Sequence, residues 1–536
     1  MSSYAELYTD FKVSHGLTVS VENYLLINAC DVAADWNGET PTLQTGFYKE
    51  NSACVGFVCR GDGNNDMTLD PGNWDLSNAS HFHMWYLSAI ISEFNWLQVF
   101  FGDGANTGYW NAMASADYPG GWFNIVCDYT RSPDAGTQPD LSAITTIGIR
   151  INHTGTAKNA ENTWFDHLYV GDGIIAYGDL DGDPFDLEDI YAVDSNDTTS
   201  GLGWGIMTKY GDVYYMVGNL TLGDSTLNST LFQETNNILI FERRYYNVTT
   251  TQLLDSILYD LSFVGNSTRE TRIQWGDKSG TAGISGCTIR ANDPDRPFSI
   301  TATDTDLTQI GLYATTFDTH GTIDLLPGNA NYEALDCTFV NGVGQIQPNT
   351  MNFDRNKIIS NSFADGAVLL ESALHDMDEN TYISNTYAIE VEVAGTYPIR
   401  GDQFTSNGAD INNTSGGLVT INATESNVST YTGNTVIVNT VYITITVEDQ
   451  TGNSIQGARV AVYRESNDLE LMNELTNASG IASEPFNYGG SPIDIYIRVR
   501  KSSSPGLRYI PYEGPGQIDD NGFSTTITLV DDDIAL

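Results

Sequence analysis

The chain has little positive charge. Its 536 residues include 23 Lys and Arg, only seven of them Lys, against 69 Asp and Glu, and the formal net charge is −46. Proteins that bind nucleic acid regardless of sequence neutralise phosphates with basic side chains. Binding to an anionic membrane surface needs the same side chains. The composition therefore argues against both classes of function.

Long apolar runs and closely paired cysteines are also missing. No stretch approaches 18 uninterrupted apolar residues, so we expect no membrane insertion. The start of the chain, from Met1 to Glu6, lacks the basic and apolar segments of a secretory signal, so we expect synthesis in a cytoplasm. The six cysteines form no Cys-x-x-Cys pair, which favours free, packed thiols over metal ligands.

Apolar content is ample: 40% of the residues are hydrophobic and 11% are aromatic, too much for a disordered chain. Helical patterns are few, and short alternating segments bounded by turn residues predict an all-β protein. A chain of this length should contain several domains. We predict five segments, with boundaries at residues 1–18, 19–176, 177–200, 201–434 and 435–536.

The first segment, residues 1–18, carries a helical signal. Ser3 and Glu6 have the spacing of a capping box. Apolar residues then follow at helical intervals from Tyr4 to Phe11. We expect a short amphipathic helix that either docks on a partner or covers an edge of its own first domain.

Residues 19–176 hold seven of the nine tryptophans and show alternating strands at 82–87, 96–101, 123–127 and 147–151. This pattern predicts a β-sandwich. The strings from Gly121 to Val126, from Ile144 to Ile149 and from Trp164 to Val170 resemble jelly-roll carbohydrate-binding modules. In that family the last strand carries a similar aromatic-aromatic-Asp core.

The resemblance to these modules implies sugar binding on a face or rim of the sandwich. Tyr109, Trp110 and Trp122 lie next to glycine-rich turns, and we predict that their rings stack on sugars. The alternative is that most of these tryptophans are core residues.

Residues 177–200 form an acidic junction. Asp179, Asp181 and Asp183 alternate as at the start of a calcium loop. The twelfth position, where such a loop has Glu, holds Ile190. We therefore predict either a Ca²⁺ site at these three aspartates or an acidic, solvated linker without a cofactor.

Residues 201–434 repeat a motif in which a small polar pair precedes one large apolar residue. The intervals are 26, 28, 22, 24, 24 and 17 residues, about one turn of a β-solenoid. We expect a right-handed parallel β-helix with these large residues in one interior column. A chance pattern in a chain rich in Phe and Thr is the alternative. The large residues are Phe263, Ile289, Phe317, Phe339, Phe363, Tyr387 and Phe404.

Residues 435–536 alternate strictly between apolar and polar side chains, as in Ile493 to Val499. The strings from Thr444 to Asp449, from Gly457 to Val462 and from Ser479 to Ala482 resemble the small seven-stranded Ig-like sandwich of the transthyretin-like or carboxypeptidase-regulatory type. In other proteins such domains are spacers, caps or adhesion modules, which is what the resemblance implies here.

Catalytic signals are weak. Asp318 and His320 would share one face of a strand if both lay in it, as a polysaccharide depolymerase of the hydrolase or lyase type would need. Further isolated acids and one more histidine occur in the repeats, but we find no signature of the pectin-cleaving β-helix families. These other candidates are Asp304, Asp306, Asp324, Asp336, His375 and Asp376.

The order of segments resembles the attachment proteins of bacteriophages: tail fibres, tailspikes and head fibres. That resemblance implies a structural virion protein, assembled in the host cytoplasm, that displays adhesive modules for host attachment or capsid decoration. It further implies a homotrimer, contacts with other virion proteins of the capsid, tail or baseplate, and a host surface glycan as ligand. The alternative is a tailspike-type depolymerase acting on host capsule.

Overall fold

The computed structural model shows a nearly all-β protein. Within the residues that the structure describes, one α-helix, α1 (Leu187–Asp194), and two short 3-10 helices, Ala33–Asp35 and Leu141–Ala143, accompany the strands. The structure describes residues 16–38, 40–49, 52–59, 63–69, 71–90, 93–114, 118, 120–154, 161–194, 204–226, 228–242, 259–266, 268–278, 286–292, 297–302, 307, 309–325, 332–349, 352–370, 377–438, 440–488, 492–502, 508–519 and 521–532. The helix predicted from Tyr4 to Phe11 lies outside these residues.

The chain divides into two compact units, residues 1–333 and 334–536. Fourteen strands lie at the start of the first unit. They are β1 (Thr18–Glu22), β2 (Leu25–Asn28), β3 (Trp36–Gly38), β4 (Thr42–Gln44), β5 (Cys54–Phe57), β6 (Gly63–Leu69), β7 (His81–Ser88), β8 (Phe94–Gly102), β9 (Thr107–Ala114), β10 (Phe123–Asp128), β11 (Ala135–Gly136), β12 (Thr146–His153), β13 (Thr163–Gly171) and β14 (Gly173–Tyr177).

Twelve of these strands form two facing antiparallel sheets. The first sheet has the order β10-β7-β13-β5-β4, with β2 also paired to β13, and the second has the order β11-β9-β8-β12-β6-β3. Alternate side chains of each strand meet between the sheets in one core that includes Phe82, Phe101, Trp110, Ile149 and Phe165. The four strands predicted in this region are confirmed as β7, β8, β10 and β12.

The strands in the rest of the first unit belong to three sheets, and successive strands along the chain mostly lie in different sheets. They are β15 (Met207–Tyr210), β16 (Val213–Met216), β17 (Asn219–Gly223), β18 (Thr230–Glu234), β19 (Ile238–Phe241), β20 (Asp260–Val264), β21 (Thr271–Trp275), β22 (Thr288–Ala291), β23 (Phe298–Ala302), β24 (Gln309–Tyr313), β25 (Thr316–Asp318) and β26 (His320–Leu325). The orders are β14-β17-β20-β23-β26, β16-β19-β22-β25 and β18-β21-β24, and all these pairs are parallel.

The described part of the acidic junction is packed rather than solvated, which corrects the linker prediction. Helix α1 begins at Leu187, and both Leu187 and Ile190 are fully buried. Phe185, just before the helix, packs edge-on against Phe232 of β18. Apolar residues between the acids therefore fold this segment against the parallel strands.

The second unit continues with parallel strands. Strand β27 (Tyr332–Leu335) spans the boundary of the two units, and β28 (Thr338–Val340), β29 (Ile346–Gln347), β30 (Asn352–Asp354), β31 (Lys357–Ile359), β32 (Val368–Leu369), β33 (Thr381–Ile383), β34 (Ile389–Val391), β35 (Gly395–Arg400), β36 (Gln403–Thr405), β37 (Ile411–Asn413), β38 (Val419–Thr424) and β39 (Thr435–Val438) follow. Their orders include β28-β31-β33-β36, β29-β32-β34-β37 and β35-β38-β39.

Two corners recur in this part of the second unit, and each places a left-handed residue before a buried polar one. Arg355 and Glu379 have φ of 56° and 58°, and Asn356 and Asn380 follow them. The N–H of Asn356 donates to Oδ1 of Asn380 over 2.9 Å, so successive corners are linked by side chains. The other corner has the same design at Ser360-Asn361 and Ser384-Asn385. It continues at Ser406-Asn407, where Asn407 is half-buried.

This design corrects the predicted column of large residues. Phe263 lies in β20, whereas Ile289 and Phe317 are register partners in a different sheet. Phe363 and Tyr387 follow the second corner, outside any strand and only half-buried. The column in the second unit consists of Phe339, Ile358, Tyr382 and Phe404, which are successive register partners. The sequence motif had merged two corners, because both combine a left-handed residue with a small polar one.

The terminal strands of the second unit form two further sheets. They are β40 (Thr440–Asp449), β41 (Arg459–Arg464), β42 (Glu470–Leu475), β43 (Ile481–Asn487), β44 (Ile493–Arg500), β45 (Tyr512–Ile518) and β46 (Phe523–Leu529). The orders are β43-β40-β46 and β42-β41-β44-β45. Both sheets contribute to one core, which includes Ile445, Val460 and Ile497. The predicted alternation from Ile493 to Val499 is confirmed in the burial of β44.

Two further expectations concern membranes and cysteines. Within the described ranges, no helix is long and apolar enough to cross a membrane. All six cysteines lie in those ranges, and they are buried thiols outside any disulfide, as predicted.

Candidate functional site

The second sheet of the N-terminal sandwich has a partly exposed outer face, here called the open face. It is defined by one residue row across four strands, Asn111, Gln98, Arg150 and Asp66, and by Phe100 and Tyr109 in the next row. The alternation of each strand creates this face, because the intervening residues enter the core.

An aromatic pair forms one part of the open face. The rings of Tyr109 and Phe100 lie 5.2 Å apart with an angle of 38° between their planes. Across from Phe100, β12 has Gly148, and a Cβ there would lie 2.2 Å from Cζ of the phenyl ring. The ring therefore lies directly over the glycine backbone. Tyr109 is half-buried, so part of its ring faces outward.

An arginine–aspartate pair lies beside these rings. Nε and Nη2 of Arg150 donate to the two carboxylate oxygens of Asp66, each over 2.6 Å. The guanidinium carbon is 4.4 Å from the centroid of the Tyr109 ring. Hydrogen bonding to Asp66 raises the pKa of Arg150. Two donor bonds and a stacked ring thus hold the guanidinium in one plane.

Amide side chains complete the face. Nε2 of Gln98 donates to Oδ1 of Asn111 over 2.8 Å. In the row at the other end of the strands, Nδ2 of Asn152 donates to Oδ1 of Asn64, also over 2.8 Å. Each amide here retains further donor or acceptor positions, since an Asn or Gln side chain offers four. Trp96, opposite Asn152, is half-buried and adds a third ring to this side of the sheet.

The first sheet has an outer face of similar composition, but it is covered. Its residues include His83, Trp85, Asn124 and Tyr169, all less than 10% exposed. Nδ2 of Asn124 and the hydroxyl of Tyr169 both donate to the backbone carbonyl of Trp204, over 2.5 and 2.8 Å. The chain that follows the sandwich therefore packs on this covered face. On the open face Tyr109, Arg150 and Asp66 remain partly exposed, whereas Phe100 and Gln98 are 5% and 8% exposed.

Of the three predicted sugar-binding residues, the structure brings only Tyr109 to the open face. Trp110 is a correction: its side chain is fully buried in the core, and its Nε1 donates to the carbonyl of Arg131 over 2.9 Å. Adjacent residues of a strand point to opposite faces, so Tyr109 and Trp110 could not both be exposed. Trp122 is half-buried in the turn before β10, which belongs to the other sheet.

Sequence reasoning missed Phe100, Arg150 and Asp66. A signal for Arg150 was present, because the string from Ile147 to Ile151 alternates and places Arg150 opposite to its isoleucines. Asp66 and Phe100 carried no such signal. Their part in the face follows from strand register, which joins segments distant in the chain.

The three junction aspartates take part in a tight turn. The backbones of Leu180 and Asp183 bond to each other in both directions, over 2.7 and 3.1 Å. Oδ1 of Asp179 accepts from the N–H of Gly182, and its Oδ2 accepts from the hydroxyl of Ser229, each over 2.8 Å. Among the described residues, no group of three or more His, Cys, Asp or Glu is placed to hold a metal ion. Calcium at Asp179, Asp181 and Asp183 stays a prediction.

The alternative catalytic pair is corrected. Asp318 ends β25 and His320 begins β26, two strands of different sheets, with Thr319 between them at a φ of 61°. His320 is fully buried, its Nδ1 lies 2.9 Å from the carbonyl oxygen of Gly321, and burial lowers its pKa to about 4. The two side chains do not share a strand face, because the chain turns between them.

The other isolated acids also lack a shared face in what the structure describes. Asp336 accepts a bidentate pair from Arg355 over 2.9 and 2.8 Å, which accounts for its position. Asp324 lies half-buried in β26. The remaining candidates, Asp304, Asp306, His375 and Asp376, lie outside the described residues.

Comparisons with known proteins give weak matches only. No protein-family model matches the chain, and no curated protein matches it. Among solved structures it is similar to an exo-β-agarase, with 12% identity over 28% of this chain and 24% of that one, and a TM-score of 0.22. The chain thus spans about a quarter of that enzyme.

Two further matches are to one kind of module. The family 11 carbohydrate-binding module of a cellulosomal cellulase of Clostridium thermocellum is 13% identical over 28% of this chain and 95% of the module, with a TM-score of 0.21. A family 11 module from the same organism, in complex with a β-1,3-1,4-mixed-linked tetrasaccharide, is 15% identical over 28% and 96%, with a TM-score of 0.20. TM-scores this low do not define the fold or the activity of this chain.

Proposed function

We propose that the N-terminal sandwich recognises a glycan on its open face. The observation that carries this proposal is the group of Tyr109, Phe100 and Arg150, whose rings and guanidinium contact each other on the outer face of the second sheet. The outer face of the first sheet is covered by the chain at Trp204. Aromatic rings offer the apolar area on which the CH-rich face of a sugar can lie. The amides and the guanidinium supply directional hydrogen bonds to hydroxyl groups.

The ion pair between Arg150 and Asp66 orients the guanidinium group on the open face and contributes little to the stability of the fold. Its side chains are 21% and 41% exposed, and exposed ion pairs contribute only about 0–1 kcal/mol to folding. Holding two long side chains in one geometry also costs conformational entropy. The pair is internally neutralised, so we expect the open face to prefer uncharged glycans.

Glycan binding by purified full-length protein tests this proposal. The probes are neutral oligosaccharides, including mixed-linked β-glucan and agarose oligomers, in a glycan array followed by calorimetry. Tyr109→Ala should weaken binding at least tenfold, as expected for an aromatic anchor. Tyr210→Ala removes an exposed tyrosine in β15, outside the sandwich; it is the matched control and should bind as the wild type does. Equal binding by wild type and Tyr109→Ala, or no binding to any glycan, would overturn the proposal.

We further propose, on the sequence resemblances alone, the finer architecture and setting of the chain. The sandwiches would be of the jelly-roll and the transthyretin-like or Ig-like types, and the parallel strands of residues 201–434 a right-handed β-helix. The chain would be a homotrimeric fibre or spike of a phage virion that contacts other virion proteins and a host surface glycan. Sedimentation equilibrium of the purified chain, and immunogold labelling of particles, would test the trimer and the virion location separately.

A further inference from the structure

A group of arginines lies on the outer face of the β42-β41-β44-β45 sheet, in the second unit. Arg459 and Arg500 are direct cross-strand partners, and Arg498 lies opposite Ala461 in the next outward row. Together with Tyr463 and Tyr512 these residues line a concave site that encloses about 360 Å³, here called the arginine pocket. The remaining lining side chains include Asn473 and Glu513.

The charges in the arginine pocket are incompletely balanced by protein groups. Arg498 pairs with Glu513, with Nε 3.3 Å from a carboxylate oxygen. Nη1 of Arg459 donates over 2.6 Å to the neutral side chain of Asn473. Among the described residues, no carboxylate forms an ion pair with Arg459 or Arg500.

We expect this arrangement to be unfavourable by itself. Like charges directly opposite each other on neighbouring strands destabilise a sheet. The chain has three times as many acidic as basic residues. Arginines without a carboxylate partner therefore stand out in this protein. An anion bound between the two guanidinium groups would remove the repulsion, because arginine forks match carboxylate and sulfate oxygens.

One wall of the pocket is aromatic and offers apolar area on which a sugar ring can lie. Tyr463 stacks on Tyr496 with centroids 5.1 Å apart and an angle of 19° between the rings. The guanidinium carbon of Arg498 lies 5.7 Å from the centroid of Tyr463. Ala461 is 9% exposed and leaves room between the arginines and the tyrosine. The volume lies at the lower end of small-molecule sites.

We propose that the arginine pocket binds an acidic saccharide, with the carboxylate or sulfate of one sugar unit between Arg459 and Arg500 and the sugar ring against Tyr463. The local positive field can act within an acidic protein because salt screens distant charges beyond about 8 Å at physiological ionic strength. This site is independent of the open face: it lies in the other unit, on another sheet, and takes a charged ligand.

Calorimetric titration of the full-length chain tests the proposal with four probes: an oligouronate, a sulfated oligosaccharide, a neutral oligosaccharide and polyaspartate. The double variant Arg459→Gln/Arg500→Gln should bind the acidic saccharides at least tenfold more weakly, since each charged hydrogen bond lost has an effect of about that size. Binding should also weaken as salt rises from 20 to 150 mM, by about tenfold in order of magnitude. The uronate and sulfate probes show which anion the pocket prefers.

Matched controls separate this site from general charge effects and from the open face. Arg400→Gln/Arg508→Gln removes the same charge at exposed arginines elsewhere in the second unit and should leave acidic saccharide binding unchanged. Tyr109→Ala should not affect it either. The thermal midpoint of Arg459→Gln/Arg500→Gln should equal or exceed that of the wild type, which shows that the variant folds.

Three results would overturn the proposal. They are the absence of acidic saccharide binding, equal binding by wild type and Arg459→Gln/Arg500→Gln, and binding of polyaspartate as tight as that of the saccharides. The last result would assign the pocket to an acidic protein segment instead. Loss of neutral glycan binding in Tyr109→Ala is measured in the same titrations, so failure of one site is distinguishable from failure of the other.

Discussion

The two outer faces of the N-terminal sandwich have similar residue types and opposite surroundings. The covered face has Trp85, Asn124 and Tyr169, and its polar groups bond to the backbone at Trp204. The open face has Phe100, Tyr109 and Arg150, and its polar side chains bond mainly to each other. Aromatic and amide residues therefore do not indicate a binding face by themselves. In the part of the chain that the structure describes, the two faces differ in that the backbone at Trp204 bonds to one of them, while several side chains of the other stay partly exposed.

The largest expected difference between the faces is in stability. Tyr169→Ala should lower the free energy of unfolding by about 3–5 kcal/mol, because it removes a large, fully buried ring. Tyr109→Ala, the same substitution on the open face, should lower it by less than about 1 kcal/mol. Urea denaturation followed by tryptophan fluorescence measures both. Equal losses in the two variants would mean that the open face is a structural surface.

A smaller effect is expected from Gly148→Ala on the open face. The new methyl group would meet the Phe100 ring at 2.2 Å, so the ring must move, at a cost of about 1–3 kcal/mol. Neutral glycan binding should fall as the aromatic pair separates. Gly46→Ala is the control, since nothing lies within 4 Å of its Cβ position, and it should leave stability and binding intact. Unchanged binding in Gly148→Ala would remove Phe100 from the site.

The effect that is smallest near neutral pH is a pH dependence carried by the covered sheet. Burial lowers the pKa of His167, in β13, to about 4, from about 6.5 in an unfolded chain. The unfolded state therefore binds a proton first, and stability should fall as the pH drops from about 6.5 towards 4, by up to about 1.4 kcal/mol per pH unit. Partial exposure of the ring reduces this value.

Urea denaturation at several pH values measures this slope. His167→Gln should make the slope shallower, because the variant has no titrating group at that position. Tyr24→Phe removes only the hydroxyl that lies 3.2 Å from Nε2 of His167 and should retain the slope. The same slope in His167→Gln and wild type would assign the pH dependence to other groups, such as the buried His320.

The repeat motif of residues 201–434 was predicted from the sequence in part. The recurring small polar residues were real, and they mark corners where residues such as Ser360 and Ser384 adopt positive φ. The large residue after each pair was misassigned for Phe363 and Tyr387, because two different corners share one local chemistry. Only the strand register distinguishes them, since Ile358 and Tyr382 are the residues that pair with Phe339 and Phe404 in turn.

Only part of the open face could be read from the sequence: the residue Tyr109 and the outward orientation of Arg150. Tyr109, named from the sequence as a sugar-binding residue, lies on the open face, and its binding of sugar stays a prediction. The alternation around Arg150 pointed outward. Trp110 was wrong because aromatic character cannot distinguish a core ring from a binding ring. Asp66 was invisible in the sequence, since its role depends on the register of β6 with β12.

The sequence by itself determined the nearly all-β character, the strong negative charge and the strand alternation that gives each sheet two faces. These are local properties, set by residue type and by the two-residue period of a strand. Tertiary structure alone decided which outer face of the sandwich stays open and which arginines meet across β41 and β44. Exposure and cross-strand contact depend on segments far apart in the chain, which local patterns cannot bring together.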